Sequence, residues 1–543
     1  MFERPHSSFR LHPSSLIRRA ILGLLFVGAA ALLIFGPRPE GEHPADPSFT
    51  VIQYWEKWTG NEGEQLKQIV DLFNKTDGKQ KKIFVQLLTQ SEIDKKTLMA
   101  TANGVPPDVA GLWDKQLPQF AALDALEPLD DLAAAHGINE SYYKKVYWNA
   151  CRYEGKLYGL VSTPATMALH YNKRIFQENA DKLRAAGLDP HCAPRTIAEL
   201  DRYAQVLDQW EGTKGQGRLR RAGYLHIEPG WYIDVSLIWF GGEPYDEPHR
   251  RLLLDSPQSI AAYEWVRDYS LRLGEDAIQR FKGGLGNFDS PQNAFLAGQV
   301  AMEQQGAWMA NFIENRMPSM NRWGVSDQEL RLEQHFSDIK PGMTAAQVEK
   351  LLGPPAPPNI WKAGPSQLTL EFENNLVTAV TPGLRPVAER RKICEWAAAP
   401  FPSSDGRPDV TYAQFDVLVI PRGARHVKEA FEFIAFVNRQ DISEKLCSMH
   451  CKDSPLAKVS RAFIENHPNP YIEVFEELAN SPNARAVPPV PTWPAVSDEM
   501  GVASEAVYTL RKTPRQALHE AQQRKQAELD RFFEVNDKRR KRG

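Results

Sequence analysis

Aromatic rings and carboxylates recur together at the ends of β-rich runs in this 543-residue chain. Trp55, Trp58 and Glu62 fall at or after TVIQYW (50–55), and Trp113 and Asp114 close DVAGLW (108–113). Flat rings suit flat apolar ligand faces, while carboxylates accept hydrogen bonds from a polar rim. Further along, Trp231 and Trp239 stand eight apart in GWYIDVSLIWFGG (230–242), a run that reads as one helix. Paired carboxylates in an aromatic cleft would also describe a glycosidase. No short motif joins two acidic residues at strand ends, and G-x-S-x-G, H-E-x-x-H and phosphate-loop signatures are absent. The residues therefore read as a binding constellation, not as an enzyme. Cys447, His450 and Cys451 cluster on one short stretch but lack a fourth ligand, so no metal or cofactor is expected.

The elements that must position these groups alternate between strand and helix. After TVIQYW, Thr59-x-x-Glu62 has the form of a capping box, opening a helix with Leu66, Ile69, Val70 and Phe73 on one face. IFVQLLT (83–89) alternates, a polar helix follows, and DVAGLW supplies a third strand with Asp114 where the next helix would be capped. Such β-α-β-α order predicts a mostly parallel sheet covered by helices, with ligands bound at the carboxyl ends of the strands. Residues 158–172 hold two apolar runs broken by Ser-Thr-Pro, which predicts a chain crossing between two lobes. The last third predicts a strand at DVLVIP (416–421), a helix at 426–438, a Pro-rich turn before Trp493 and a long polar helix.

Composition narrows the class. Apolar residues make up 42% and charged residues 24%, which excludes a mainly disordered chain. A net charge of −3 argues against a nucleic-acid partner, which would need a basic face. Cys151, Cys192, Cys394, Cys447 and Cys451 are too few for a disulfide framework, though they could hold one bridge. Ala20 to Gly36 is an uncharged run of seventeen, preceded by Arg10, Arg18 and Arg19 and followed by Glu40, Glu42 and Asp46. That asymmetry predicts a cytoplasmic basic segment (1–19), a signal anchor or transmembrane helix (20–36) and a linker (37–48), with all that follows on the outer face. An uncleaved anchor is favoured because residues 32–35 stay apolar.

Several segments together resemble the extracytoplasmic solute-binding proteins of sugar ABC transporters: GKLYGL (155–160), MALHYNK (167–173), PRTIAEL (194–200) and, above all, AFLAGQVAMEQQGAWM (294–309). The resemblance covers about residues 50–323 and 395–530. It implies an α/β, two-lobed periplasmic-binding-protein fold of type II that closes on a sugar. The ligand residues it implies, with the aromatics and acids above, are Trp55, Trp58, Glu62 and Asp114 in the first lobe, and Trp231, Trp239, Gly306, Trp308 and Trp493 in the second. Tyr171 and Asn172 would line the hinge. The implied partners are a small-molecule carbohydrate and ABC permease subunits in the inner membrane.

Between the two matching parts (49–325 and 395–530) lies an interruption. In residues 326–394, IKPGMTAAQVEKLLGPP (339–355) resembles the small SmpA/OmlA (BamE-like) fold. Thr344 would cap a helix carrying Val348, Leu351 and Leu352, ended by Gly353-Pro354, and LTLEFENNLVTAV (368–380) reads as a hairpin turning at Asn374-Asn375. A small α+β insert domain is expected, with contact to an envelope protein as its default role. A membrane-anchored sensor or scaffold is the rival to transport. Residues 531–543 form a basic tail.

Overall fold

A computed structural model describes residues 46–213, 217–322 and 324–540. The expected membrane segment at 20–36, its basic flank and most of the linker lie outside the described residues. Within them, no helix is long and apolar enough to cross a membrane.

One large sheet runs through the molecule, and its middle strands join two separate cores. Strand β1 (Thr50–Glu56) pairs in parallel with β2 (Ile83–Thr89) and β3 (Val109–Trp113), as the strand–helix alternation predicts. Helix Gly60–Lys75 covers them with Leu66, Ile69, Val70 and Phe73. Thr59 stands at its N-cap but makes no side-chain capping bond. The expected capping box is therefore not formed, and the Glu62 carboxylate is left for another use.

The crossing segment is a single strand, β4 (Leu160–Asn172), buried along its whole length. Ser-Thr-Pro does not break it. Pro164 lies opposite Phe415, and Thr163 faces Asp416, whose carboxylate it bonds. The first half of β4 pairs with the long antiparallel strand β8 (Thr411–Val419), which pairs with β3 on its other side. Its second half pairs with β6 (Val300–Gly306) and β7 (Trp396–Pro400), and β6 carries β5 (Arg218–Tyr224) beyond it. One core, including Ile52, Leu112 and Phe431, fills the first lobe; a second, including Leu169, Tyr263 and Trp396, fills the other. Strands buried on both faces read as continuous apolar runs, which is why the crossing was visible in sequence while its unbroken hydrogen bonding was not.

Residues 326–393 have a small core of their own, made by Ile339, Val348, Leu352, Trp361, Leu368, Leu370 and Val377. Helices Asp327–Gln334 and Ala345–Leu352 both open with capping boxes, from Ser326 and Thr344. Three antiparallel strands follow, Ile360–Ala363, Ser366–Glu373 and Leu376–Leu384. Asn374 and Asn375 both take positive φ at the hairpin turn, as that turn requires. Leu351, expected on the buried face, is 37% exposed because Val348 and Leu352 alone point at the sheet. The two ends of this segment lie together: the Glu395 amide donates to the Met320 carbonyl at 2.7 Å, and the Trp396 indole to Asn321 Oδ1 at 2.8 Å.

Candidate functional site

The lobes enclose a cleft of about 500 Å³ at the carboxyl ends of β1 and β3, a volume typical of small-ligand sites. Its first wall comes from the turns after those strands. Trp58 and Trp113 meet edge to face at 5.1 Å, and the Lys57 ammonium lies 4.5 Å from the Trp113 ring centre. Beside them sit Glu62, freed from capping, and Asp114, the first residue of the short 3-10 turn Asp114–Gln116. Lys115 N donates to Asp114 Oδ1 at 2.8 Å, and the Tyr412 hydroxyl reaches Oδ2 at 3.4 Å. Burial pushes the Asp114 carboxyl up to about 7, and burial also raises Glu62, against the pull of Lys452.

The opposite wall belongs to the second lobe. Trp231, Phe288 and Phe312 form a ladder with ring centres 4.6 and 4.8 Å apart, and Trp308, Trp493, Tyr232 and Asp234 complete it. Trp308 is seated over Gly306, the last residue of β6. A Cβ built on Gly306 would lie 2.3 Å from a Trp308 ring carbon, so only glycine leaves the ring room.

The floor is the pair of crossing strands, and its centre is charged. Asp416 on β8 is buried and 3.0 Å from both the Lys57 and Lys452 ammonium groups, and its Oδ2 accepts from Thr163 Oγ1 at 2.6 Å. Burial would raise the Asp416 carboxyl, but Lys452 and Lys57 outweigh it and hold it down at about 2. Lys452 also stands 4.9 Å from the Trp58 ring centre and 5.9 Å from that of Trp308, linking the aromatic faces of the two lobes.

Of the eleven residues expected to bind ligand, Trp58, Glu62, Asp114, Trp231, Trp308 and Trp493 line this cleft. The other five do not. Trp55 stands inside the sheet, paired with Leu88 and Ala110, because β1 runs on to Glu56 and the strand end lies beyond it. Trp239 is core: it is 2% exposed, packs on Phe401, and its indole donates to the Val410 carbonyl. The segment holding it is a 3-10 helix, Ile233–Phe240, that begins after Trp231, so the two tryptophans do not share a helix. Tyr171 is buried against Phe176, and Asn172 caps helix Lys173–Glu178 by accepting from Ile175 N. Gly306 lies behind the cleft as the seat of Trp308. All five cysteines are free.

Sequence reading missed the floor. Asp416 could have been found, being the lone charge in a strand that is otherwise uncharged and mostly buried; Lys452, Phe288 and Phe312 carry no local signal.

Two lobes on crossing strands, with an acidic and aromatic cleft between them, define a solute-binding protein. The family model described as bacterial extracellular solute-binding protein matches residues 68–347, just over half of the chain. The chain belongs to that family. It is 20% identical over 224 residues to the maltotriose-binding protein of Pyrococcus abyssi, covering 41% of this chain and 43% of that one. It is 23% identical over 286 residues to the sn-glycerol-3-phosphate-binding periplasmic protein UgpB of Pectobacterium atrosepticum, covering 50% and 58%. The chain thus spans about half the length of these curated relatives. Among solved structures, CpMnBP1 with mannotriose bound superposes with TM-score 0.62 at 22% identity over 87% of this chain and 99% of that one. The sugar-binding protein MalE from Xanthomonas citri superposes with TM-score 0.61 at 18% identity, over 90% and 99%. These likenesses establish the two-lobed periplasmic-binding-protein fold.

Proposed function

We propose that this chain is the extracytoplasmic carbohydrate-binding component of an ABC transporter, holding a sugar between its lobes and delivering it to a permease. The observation that carries this reading is the composition of the cleft. Four carboxylates, Glu62, Asp114, Asp234 and Asp416, face it against the ammonium groups of Lys115 and Lys452, among tryptophans from both lobes. Carboxylates accept sugar hydroxyls and rings stack on sugar C–H faces. A phosphate ester would face carboxylates and no arginine among these lining residues, so among the solutes named for the relatives an uncharged oligosaccharide fits better than glycerol phosphate. A thermal-shift screen of mono- and oligosaccharides beside glycerol 3-phosphate tests this. A shift with glycerol 3-phosphate alone would overturn the choice of ligand, and no shift with any sugar would overturn the reading.

Residues 20–36 serve in this proposal as the inner-membrane anchor. Fractionation of a tagged chain should find it with the inner membrane on its outer face; cytosolic recovery would refute export, and a soluble periplasmic pool lacking residues 1–36 would show cleavage. The domain boundaries at 326 and 394, and the SmpA/OmlA-like nature of the insert, belong to the same proposal. A second reading, a membrane-anchored sugar sensor or envelope scaffold that meets its partner through the insert, is favoured by one observation: residues 326–393 bury a core of their own that the sugar cleft does not use.

A further inference from the structure

The last helix of the inserted segment, Val387–Ile393, does more than close it. Arg390 is 2% exposed, and the hydrogen-bond acceptors its guanidinium meets among the described residues are backbone carbonyls. Its Nε donates to Arg385 O at 2.5 Å, Nη1 to Pro468 O at 2.7 Å, and Nη2 to His467 O. Its guanidinium thus grips the short strap His467–Asn469, in which His467 and Asn469 are fully buried.

That strap has two further holds. Asn469 N donates to His467 Nδ1 at 3.0 Å, which leaves the imidazole proton on Nε2, 3.2 Å from the Lys452 carbonyl. Asn469 Nδ2 donates to Ala307 O at 2.9 Å, and its Oδ1 accepts from Tyr471 N. Lys452 is the ammonium on the cleft floor, and Ala307 stands between Gly306 and Trp308. Both cleft groups are thereby tied at their backbones to one buried arginine from the insert, through a chain of buried hydrogen bonds. Such directed, buried bonds fix position more strongly than apolar contact does.

We infer that Arg390 is a positioning residue for the cleft: through the His467–Asn469 strap it sets the placement of Trp308 and Lys452, so that the insert and the ligand site are coupled. The coupling rests on the sugar-binding reading only for its consequence, not for its existence, because the strap joins the two regions whatever ligand is bound.

Hydrogen–deuterium exchange on the ligand-free full chain tests it without any sugar. Arg390→Gln should speed exchange of the amides at 306–309 and 451–453 at least about fivefold, while those of β1 stay at the parent rate. Asn469→Ala cuts the branch to Ala307 and the bond from Tyr471 N but leaves the His467–Lys452 branch, so it should loosen 306–309 but not 451–453. Arg390→Lys, which keeps the charge and part of the bonding, should restore much of the protection. Parent-like exchange at both segments in Arg390→Gln overturns the inference, as does equal loosening of both in Asn469→Ala. Should Arg390→Gln fail to fold, the Asn469→Ala pattern decides alone.

Titration of Trp emission with maltotriose and mannotriose then reads the consequence. Arg390→Gln should raise the Kd about three- to tenfold, although Arg390 touches no cleft surface. An unchanged Kd with a lowered Tm would make Arg390 a structural anchor only and refute the coupling. If neither trisaccharide binds the parent, the sugar reading is what suffers, and the exchange pattern still decides the coupling.

Discussion

Gly306→Ala isolates one aromatic face of the cleft. The backbone at Gly306 is not among the positive-φ positions, so alanine is conformationally acceptable there, and within a strand it would ordinarily add stability. What it cannot do is coexist with the Trp308 ring, whose atoms would lie 2.3, 2.5 and 2.6 Å from the new methyl. Ordinary carbon contacts begin near 3.5 Å, so the ring must move by about 1 Å or turn away. Stacking of a flat ligand on an aromatic ring is worth about 1–3 kcal/mol by analogy with base stacking, which corresponds to a Kd raised roughly 5- to 150-fold. In a thermal assay with sugar at a hundred times the parent Kd, ligand stabilisation of about 2.7 kcal/mol should fall to about 1.4 kcal/mol for a tenfold weaker site. For a chain of this size each kcal/mol is worth about 1 °C, so a shift of about 3 °C shrinks by half. Calorimetric titration gives the Kd directly. Because Gly306 acts only through Trp308, the double variant Gly306→Ala/Trp308→Ala should bind no worse than Trp308→Ala. A Kd for Gly306→Ala within twofold of the parent, in a protein that melts normally, would refute Trp308 as a stacking platform.

Asp114 gives a pH signature. Its folded pKa of about 7 is above the ordinary carboxylate value, so the folded state holds a proton that the unfolded chain releases; this favours folding at pH below about 4 and is lost as pH rises through 7. If the ionised form accepts sugar hydroxyls, affinity should rise across the same interval, and Asp114→Asn should flatten the profile in a titration series from pH 5 to 8. Asp416 runs the other way. Its depressed pKa stabilises the fold above about pH 4, and that contribution is lost as pH falls towards 2. Asp416→Asn should cost about 3–5 kcal/mol in denaturant unfolding at pH 7, because it leaves buried Lys452 without its counter-charge and Lys57 with Glu56 alone; a loss under 1 kcal/mol would refute this pairing. Excising residues 327–393 with a short linker should leave a protein that still melts cooperatively, since the ends are joined by the Glu395–Met320 bond, but with weakened sugar affinity because Arg390 goes with it. Insoluble product would count against a self-contained segment.

Much of this molecule was legible residue by residue. Alternation and capping residues are local signals, so β1 to β3, the helix that buries Leu66 to Phe73, the helix after Thr344 and the hairpin at Asn374-Asn375 could all be read in order. The aromatic and acidic residues in the turns after β1 and β3 could be placed at the cleft for the same reason: parallel strands present their carboxyl ends together. Strand length was less legible. One residue more on β1 kept Trp55 in the sheet, and a 3-10 turn starting after Trp231 sent Trp239 into the core and left Trp231 at the cleft.

What only the tertiary structure decided is which distant residues share a charge or a bond. Nothing near Lys452 in sequence announces Asp416 or Trp58, and nothing near Arg390 announces His467. Their meetings depend on two strands crossing between lobes and on an inserted segment returning to the lobe it left. The sequence by itself determined the local elements and the acidic and aromatic residues after β1 and β3, because those follow from periodicity and from residue type at strand ends, while the binding class and Trp308 came from the resemblance of AFLAGQVAMEQQGAWM to solute-binding proteins. The buried ion pairs beneath the cleft and the strap behind it were set by chain topology, since low-dielectric pairing and directed hydrogen bonds act between groups that only folding brings within about 3 Å.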